Sequence, residues 1–333
     1  MAQVRILPSR ATKPRNTAKK TLGGQTRPVD VENNGLVIET FGRHVTVLAT
    51  DGSQRICHPR GKKNTAVVGD RVVWSQSEDQ GTIERVLPRK NLFFRQDEMR
   101  TKSFAANLDH ILVFLGAEPE FSEMQLSRAL IAAEATGIAV TIILNKQDLT
   151  PLFERAWARL QPYRDMAYPV LGLSLLSSPP VGLSALHALL SQKITLVLGP
   201  SGAGKSTLIN QLLPAVDLRT QEISRALNSG KHTTTNTTLY WLNPEDQAAG
   251  AIIDSPGFQE FGMHHIAVDQ LATYMPDLSA HLGHCKFSNC THLHEPECPV
   301  RDATETEPPQ ISPNRYSIYQ DLHLELTEVA RAW

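Results

Sequence analysis

The chain has 333 residues, which is long for one domain, so its length favours two or three domains. Hydrophobic residues make up 41% of it and charged residues 20%, an ordinary globular composition. No apolar run approaches the roughly 20 residues that a membrane helix needs, and the start, MAQVRILPSR, lacks the apolar segment of a secretion signal. We therefore expect a cytoplasmic protein rather than a membrane-spanning or secreted one.

The formal net charge is only −1, but positive charge is concentrated near the start of the chain. Residues 1–29 contain no acidic residue and show no hydrophobic periodicity, so we predict a disordered basic arm over residues 1–32. Such an arm is either a solvated tail or a segment that becomes ordered on RNA phosphates, and the features below favour RNA. Its basic residues are Arg5, Arg10, Lys13, Arg15, Lys19, Lys20 and Arg27.

Residues 33–97 have the pattern of short strands. Segments such as GLVIETFGRHVTVLATDG, AVVGDRVVW and GTIERVLPRKNLFF are rich in Val, Ile, Thr and aromatic residues, with Gly and Asp between them. About five strands in about 60 residues are typical of a small closed β-barrel such as an OB-fold. Barrels of this type often bind single strands or RNA, although small barrels have many functions.

Residues 98–262 alternate between apolar strands and helices. HILVFLGA, IAVTIILN and ITLVLG are predicted as buried strands, and SEMQLSRALIAAEATG as a helix with Ser122 as its N-cap and Gly137 at its end. Strands rich in Val, Ile and Leu that are separated by helices indicate a parallel sheet with helices on both faces. After about Gly262 the strands stop, and residues 263–333 are predicted as a helical module.

The segment LVLGPSGAGKSTLINQLL contains a P-loop motif between an apolar strand and a helix, the context that this motif requires. Glycines let backbone N–H groups surround phosphates at a helix N-terminus, where the helix dipole favours anions. Lys205 is expected to reach the terminal phosphates and Ser206 to ligate magnesium. The predicted nucleotide-binding residues here are Gly199, Pro200, Ser201, Gly202, Ala203, Gly204, Lys205, Ser206 and Thr207.

A P-loop alone does not distinguish GTP from ATP, but NKQD at residues 145–148 resembles the guanine motif N-K-x-D at the end of a strand. The Asp148 carboxylate can accept hydrogen bonds from guanine N1–H and the 2-amino group together, a pair of donors that adenine does not offer. Asn145 would address the other edge of the base, and the Lys146 stem would cover the ring. The motif therefore favours GTP.

Further positions complete the predicted site. Asp254 and Gly257, in GAIIDSPGF, are expected to hold magnesium and to sense the terminal phosphate, respectively. The Thr-rich segment NSGKHTTTNTT lies where a magnesium-ligating switch threonine belongs, with Thr233 and Thr234 as candidates, of which we choose Thr234. Ser174, in GLSLLS, is predicted to read guanine O6 through its backbone, although leucines replace the usual Ala-Lys pair after it.

The order of these motifs is unusual. In ordinary GTPases the guanine motif follows the P-loop, whereas here Asn145 precedes Gly199. Because all these loops lie at the carboxyl edge of one parallel sheet, joining the chain ends elsewhere preserves the site. We therefore predict a circularly permuted GTPase in which Asp254 leads directly into the C-terminal region.

Three of the four cysteines fall in the segment CKFSNCTHLHEPEC. In a chain without a secretion signal, such clustering indicates metal binding rather than disulfides. Cys285, Cys290 and Cys298 with one histidine would form a tetrahedral structural zinc site, for which His292 and His294 compete. The alternative is a group of reduced cysteines without metal.

The barrel, the permuted motifs with GKHTTT and DSPGF, and the pattern C-x4-C-x-H-x5-C together resemble the RsgA/YjeQ family of ribosome-small-subunit-dependent GTPases. The resemblance extends over about residues 30–333. It implies that Cys285, Cys290, His292 and Cys298 ligate one zinc ion. It also implies that the partner is the small ribosomal subunit with its rRNA, that the GTPase assists late maturation of this subunit, and that the subunit stimulates hydrolysis. We expect a monomer.

The family lacks the usual catalytic glutamine after the switch glycine, and Phe258 occupies that position here. His232 resembles the histidine proposed to position water in this family, although it could instead only pack the switch. We predict His232, Lys205 and Thr234 as catalytic residues. Two other functions are an RNA-binding assembly factor gated by nucleotide, in which hydrolysis is incidental, and a P-loop ATPase, against which the guanine motif argues.

Overall fold

The computed structural model describes residues 33–332 apart from 61–64, 77–79, 98–100, 214–235, 256–257 and 259–260. The predicted basic arm over residues 1–32 lies outside the described residues. Within the described part of the chain, no helix is both long enough and apolar enough to cross a membrane.

The barrel predicted from the strand pattern is present. Its strands are β1 (Asn33–Phe41), β2 (His44–Ala49), β3 (Gln54–Pro59), β4 (Arg71–Gln76) and β5 (Gly81–Val86). Strand β1 pairs with both β2 and β4, and β3 pairs in parallel with β5, so the order β1-β2-β3-β5-β4 closes on itself. Alternate side chains point inward and fill the interior with residues such as Val37, Val47 and Trp74, which is the alternation that a small barrel requires.

A hairpin follows the barrel. It consists of β6 (Leu92–Gln96) and β7 (Thr101–Ala106), which pair in antiparallel orientation. The boundary predicted between residues 97 and 98 therefore falls between two paired strands, and the division of the chain into domains stays a prediction.

The second half of the sheet is the predicted parallel sheet. Its strands are β8 (His110–Gly116), β9 (Ala139–Asn145), β10 (Val170–Gly172), β11 (Ile194–Leu198), β12 (Thr237–Trp241) and β13 (Ala251–Asp254). Strands β10-β9-β8-β11-β13 run parallel in that order, and β12 adds to β13 in antiparallel orientation. The described helices before the C-terminal region are α1 (Glu123–Thr136), α2 (Thr150–Arg159), α3 (Gln161–Asp165), α4 (Leu183–Leu190) and α5 (Lys205–Leu212).

Both faces of this sheet are covered, as predicted. Along β8, Ile111 and Val113 belong to the apolar cluster that includes α1, whereas Leu112 belongs to the cluster that includes α4 and α5. Since successive side chains of a strand point to opposite faces, the two clusters lie on opposite sides of the sheet.

Helix α1 begins and ends as predicted: Ser122 Oγ accepts from the N–H of residue 125 at 3.3 Å, and Gly137 has a left-handed φ of 65°.

The barrel and the parallel sheet are not separate sheets. Strand β1 also pairs with β12 in antiparallel orientation, with Glu39 opposite Thr238 and Thr40 opposite Thr237, which produces one sheet of 11 strands. Strand β1 can serve both sheets because its first half, Asn33–Leu36, pairs with β4 and its second half, at Glu39 and Thr40, pairs with β12. Its register with β2 shifts between Val37 and Glu39, at the junction of the two halves.

The C-terminal region is helical, with 3-10 turns at Gln247–Ala249 before it and at Val268–Tyr274 within it, followed by α6 (Pro276–Ser279), α7 (Pro299–Glu305) and α8 (Pro313–Ala332). Apolar residues of α8, such as Ile318 and Leu322, belong to the same cluster as Leu126 of α1. At the same junction the Arg315 guanidinium is buried against Asp277, with Nε 2.7 Å from Oδ2. The helical module therefore packs directly on the parallel sheet's helices.

Candidate functional site

The carboxyl ends of the parallel strands bring the predicted nucleotide residues to one edge. Gly116 at the end of β8 is paired with Asn145 at the end of β9, and Val197 of β11 is paired with Asp254 at the end of β13. Loops after parallel strands meet at the same edge of a sheet, which is where α/β proteins bind ligands. The structure therefore brings the guanine motif, the P-loop and the Asp254 loop together.

The P-loop runs from Gly199, after β11, to the start of α5 at Lys205. Gly204 has a φ of 107°, and a Cβ there would lie 2.5 Å from Nδ2 of Asn145, so backbone conformation and space both require glycine. Lys205 Nζ donates to the carbonyls of Gly199 and Pro200 at 2.7 and 2.9 Å. The loop thus encircles the ammonium group.

Lys205 also interacts electrostatically with Asp254, a predicted magnesium ligand. Burial lowers the pKa of Lys205, and the nearby Asp254 carboxylate opposes this effect. A half-buried ammonium beside one carboxylate can bind a further anion, as a phosphate-binding lysine needs. Ser206 follows in the first turn of α5 and is exposed.

The guanine motif is attached to the P-loop. Asn145 is 4% exposed and donates from Nδ2 to the carbonyl of Ala203 at 3.0 Å. Lys146 has a left-handed φ of 70°, and its Nζ donates to the carbonyl of Glu118 at 2.5 Å. The loops after β8, β9 and β11 are consequently fixed to one another.

Asp148 and Ser174 form the other part of the base-binding edge. Asp148 is exposed, and the hydroxyl of the buried Ser174 donates to its Oδ1 at 2.6 Å. The Ser174 N–H donates to the carbonyl of Val181 at 3.2 Å, and this bridge occupies the backbone group that the sequence prediction assigned to guanine O6. Ser174 therefore contributes a side chain that holds Asp148, a role that the sequence analysis missed.

His232, Thr233, Thr234 and Gly257 lie outside the described residues. Phe258, at the position of the missing glutamine, is 3% exposed and belongs to the main apolar cluster. Its side chain packs in the core.

The predicted metal ligands do come together. One ligand atom from each of Cys285, Cys290, His292 and Cys298 lies within 4.8 Å of all the others. His292 Nδ1 is 3.5 Å from the Sγ of Cys285 and 3.4 Å from that of Cys298. His294, the competing ligand, is outside this group, and its side chain is 81% exposed. The geometry therefore selects His292.

The chemistry of this cluster fits a metal ion. Burial raises the pKa of the Cys285 thiol and raises that of Cys290 to about 12, so thiolates this close together require a cation beside them. Burial also lowers the pKa of His292, which favours the neutral imidazole that ligates metals. Three thiols and one imidazole could thus hold one metal ion.

Helix α8 supports the loop that carries His292. Tyr316 Oη donates to the His292 carbonyl and Tyr319 Oη to the Thr291 carbonyl, each at 2.7 Å. Glu295 Oε1 accepts from Thr291 N at 2.8 Å. These contacts explain how His292 keeps a left-handed φ of 61°, which is uncommon for a residue other than glycine.

Comparison with known proteins identifies the family. The family model described as RsgA GTPase matches residues 86–264. The chain belongs to the RsgA GTPase family. It is therefore a GTPase, and the predicted circular permutation is confirmed by its structural relatives.

Relatives match over nearly the whole chain. The chain is 58% identical over 318 residues to the small ribosomal subunit biogenesis GTPase RsgA of Variovorax paradoxus (strain S110), covering 95% of this chain and 98% of that protein. It is 45% identical to the protein of the same name from Paraburkholderia xenovorans (strain LB400), covering 91% and 96%.

Two solved structures share the fold. YjeQ from Thermotoga maritima matches with a TM-score of 0.67 and 28% identity over 89% of this chain and 99% of that one. YloQ, described as a circularly permuted GTPase, matches with a TM-score of 0.64 and 25% identity over 92% and 98%. These matches include the barrel and the C-terminal module as well as the GTPase region.

Proposed function

We propose that this GTPase binds the small ribosomal subunit and assists its late maturation, hydrolysing GTP to GDP and phosphate with stimulation by the subunit. The observation that carries the proposal is the 58% identity to a small ribosomal subunit biogenesis GTPase over 95% of this chain and 98% of that protein. An alignment of this extent includes the barrel, the nucleotide site and the cysteine cluster, the parts that such a function would use.

Guanine selectivity is assigned to Asp148. The Ser174 hydroxyl at 2.6 Å fixes this exposed carboxylate in orientation, so it is available to guanine N1–H and the 2-amino group as a bidentate acceptor. The Lys146 stem would cover one face of the ring and Asn145 would border the base. Since Ser174 N–H is engaged by the backbone of residue 181, contact with guanine O6 is assigned to the N–H of the next residue, Leu175.

The phosphates are assigned to the loop of residues 199–207 and to Lys205. The Lys205 ammonium, now hydrogen-bonded to two loop carbonyls, lies where it can transfer its hydrogen bonds to the terminal phosphates. Its charge would stabilise the negative charge that develops as the phosphate bond breaks.

Magnesium is assigned to Ser206, Thr234 and Asp254, because hydroxyl and carboxylate oxygens suit this ion. When bound with GTP, magnesium supplies positive charge between the phosphates. Ser206 is the second residue of α5, which follows β11, and Asp254 ends the neighbouring strand β13, so both belong to the same edge of the sheet. The Gly257 N–H is proposed to contact the terminal phosphate.

Hydrolysis is proposed to occur by in-line attack of water on the terminal phosphate. Phe258 is packed in the apolar core and offers no group that could orient this water. His232, in the switch segment, is therefore the proposed positioning group, with Lys205 and Thr234 acting on the phosphate side.

The metal of the cysteine cluster is proposed to be zinc with a structural function. Three cysteines and one histidine are a common ligand set of closed tetrahedral zinc sites. The loop between Cys285 and Cys298 contains little regular structure, so the ion would hold together a segment with few apolar contacts of its own.

Contact with rRNA is assigned to the barrel, to the helical module of residues 263–333 and to the basic arm of residues 1–32. Exposed arginines on the barrel support this assignment, because phosphate contacts supply most sequence-independent affinity for nucleic acids. These residues are Arg43, Arg55, Arg71 and Arg85. We further propose that the protein is a cytoplasmic monomer.

The decisive experiment measures GTP hydrolysis with and without purified small subunits, using Lys205→Ala as the control for contaminating activity. We expect slow hydrolysis alone and strong stimulation by small subunits but not by large ones. Equal rates with and without small subunits, combined with GTP-dependent binding to them, would instead support an assembly factor in which hydrolysis is incidental.

A further inference from the structure

Residues 262–264, which follow the loop after Asp254, are hydrogen-bonded to the hairpin β6–β7. Gln96 N, on β6, donates to the Gly262 carbonyl at 3.1 Å, and His264 N donates back to the Gln96 carbonyl at 3.0 Å. Residues 262–264 therefore extend the hairpin like a short third strand. A Cβ on Gly262 would lie 2.6 Å from the Gln96 carbonyl oxygen, so this close approach requires glycine.

Aromatic packing strengthens the same contact. Phe261 is 1% exposed, and its ring centroid lies 5.6 Å from that of Phe93 on β6 and 5.7 Å from that of Phe104 on β7. The rings of Phe94 and His265 lie 4.4 Å apart. Aromatic rings at such distances attract one another in addition to burying apolar area. The exit of the Asp254 loop is thus firmly held by the hairpin.

The other strand of the hairpin is bonded to the barrel. Ala106 N, at the end of β7, donates to the Val68 carbonyl at 2.9 Å, and Asn107 Nδ2 donates to the Gly69 carbonyl at 2.8 Å. Gly69 has a φ of 90°, and a Cβ there would collide with the Ala106 carbonyl. Val68 and Gly69 belong to the barrel segment that leads into β4.

Between Asp254 and the hairpin the chain is held at further points. Ser255 is 2% exposed, with Oγ 3.4 Å from Thr237 Oγ1, and Phe258 is buried in the same apolar cluster as Phe261. Ser255 and Phe258 are therefore packed between Asp254 and the hairpin. Through these two residues, a shift of the hairpin would reach Asp254 and the proposed magnesium ligands.

We propose that the β6–β7 hairpin transmits displacement of the barrel to the Asp254 loop, with Phe261 and Gly262 as positioning residues for hydrolysis. The inference rests on the proposed function, in which contact of the barrel with rRNA precedes stimulated hydrolysis. The hairpin is suited to this because β7 is hydrogen-bonded to the barrel and β6 is hydrogen-bonded to residues 262–264, which follow the loop. A misplacement of about 1 Å can cost about a hundredfold in rate, so a small displacement is sufficient.

The first test breaks the barrel end of this connection. Gly69→Ala would push β7 away, while Gly42→Ala is the matched control, because Gly42 also has a positive φ, of 60°, but a Cβ there meets nothing within 4 Å. We expect Gly69→Ala to retain GDP affinity, basal turnover and the half-saturating concentration of small subunits. It should lose about tenfold or more of the stimulated kcat. Full stimulation in folded Gly69→Ala would overturn the proposal.

Phe261→Leu tests the loop end, with Phe153→Leu, buried on α2, as control for a general loss of stability. We expect Phe261→Leu to lower kcat with little change in KM for GTP, and Phe153→Leu to change neither. Equal kcat values for Phe261→Leu and wild type would contradict the proposed positioning role. If wild-type turnover itself is not stimulated by small subunits, the proposed function fails instead.

A measurement on the wild-type protein keeps the inference testable even if these variants fold poorly. Hydrogen exchange of the Gln96 and Ala106 amides, which mark the two ends of the hairpin, would be compared with GDP and with a non-hydrolysable GTP analogue. We expect the protection of both amides to change together between nucleotide states. A change at Gln96 with none at Ala106, or no change at either, would show that the hairpin does not connect the two sites.

Discussion

The Asn145 side chain donates from Nδ2 to the Ala203 carbonyl at 3.0 Å, so the guanine motif and the P-loop are joined by a buried hydrogen bond. The two residues are 58 positions apart in the chain, and their order is reversed relative to ordinary GTPases. The contact depends only on the positions of β9 and β11 in the sheet, which circular permutation leaves unchanged.

Asn145→Asp should weaken GDP and GTP to a similar extent. A carboxylate would face the Ala203 carbonyl without a proton between them, and an unsatisfied buried polar group costs about 1–3 kcal/mol, or roughly five- to a hundredfold in affinity. Titration with a fluorescent nucleotide would measure the loss. Gln147→Ala, at the variable position of the motif, is the control, and wild-type affinity in Asn145→Asp would refute the structural role of this bond.

Asp148→Asn should reduce the preference for guanine over adenine nucleotides. One acceptor oxygen becomes an amide donor that opposes guanine's own donors, which should cost about 1.5–3 kcal/mol, or roughly ten- to a hundredfold in GTP affinity. Competition binding of GTP against ATP tests this. Ser174→Ala, which removes the hydroxyl that orients Asp148, should give a smaller loss in the same assay, and an unchanged preference in Asp148→Asn would remove Asp148 from base recognition.

Cys290→Ser should release one zinc ion per chain and loosen residues after about 280 while GTP binding is retained, because the P-loop and the cluster share no residues. Elemental analysis of freshly purified protein and limited proteolysis would follow both effects. His294→Ala should keep its zinc, since His294 lies outside the cluster. Wild-type protein that contains no zinc when prepared without chelators would defeat this prediction.

Arg315→Met should destabilise the protein far more than a comparable surface change. It leaves Asp277 charged in a site where the two side chains are only 3% and 8% exposed, and breaking such a buried pair costs about 3–5 kcal/mol. Lys286→Ala removes the ion pair with Glu297, whose partners are 52% and 69% exposed, and should cost at most about 1 kcal/mol. Denaturant unfolding compares the two, and similar losses would argue against the importance of the buried pair.

His232→Ala should leave GTP affinity nearly intact, because the P-loop holds the phosphates. Turnover stimulated by the small subunit should fall sharply, and basal turnover much less, since an unaided switch positions water poorly. Both rates and the GTP affinity would be measured. Equal losses with and without subunits, or no loss, would exclude His232 from the mechanism.

Patterns within short segments predicted most of the architecture. Short segments rich in Val, Ile, Thr and aromatic residues, separated by Gly and Asp, predicted the barrel over residues 33–97, and the apolar strands predicted the parallel sheet. Both predictions work because burial determines which residue types a strand can carry. Ligand spacing predicted the cysteine cluster, and the structure decided between His292 and His294. Spacing alone left the histidine open because the two are separated by a single residue, whereas the family resemblance implied His292, in agreement with the geometry.

Contacts between distant segments could not be predicted in this way. Nothing in the sequence around Glu39 indicates that β1 pairs with β12, and nothing near Gly262 indicates its close approach to β6. The contact of the Ser174 hydroxyl with Asp148 was not predicted for a similar reason, because this partner becomes visible only when the loop is folded. Pairings of this kind depend on how the elements meet in space, which local periodicity does not encode.

The pairing of β1 with β12 also has a consequence for self-association. Without β1, strand β12 would be a free edge of the parallel sheet, and open edges recruit strands from other molecules. Strand β1 is synthesised long before β12, so the segment that covers this edge is already available when the edge is formed. A fragment that lacks the barrel would expose β12 to the same strand of a second copy, and it would be prone to aggregate even with an intact nucleotide site.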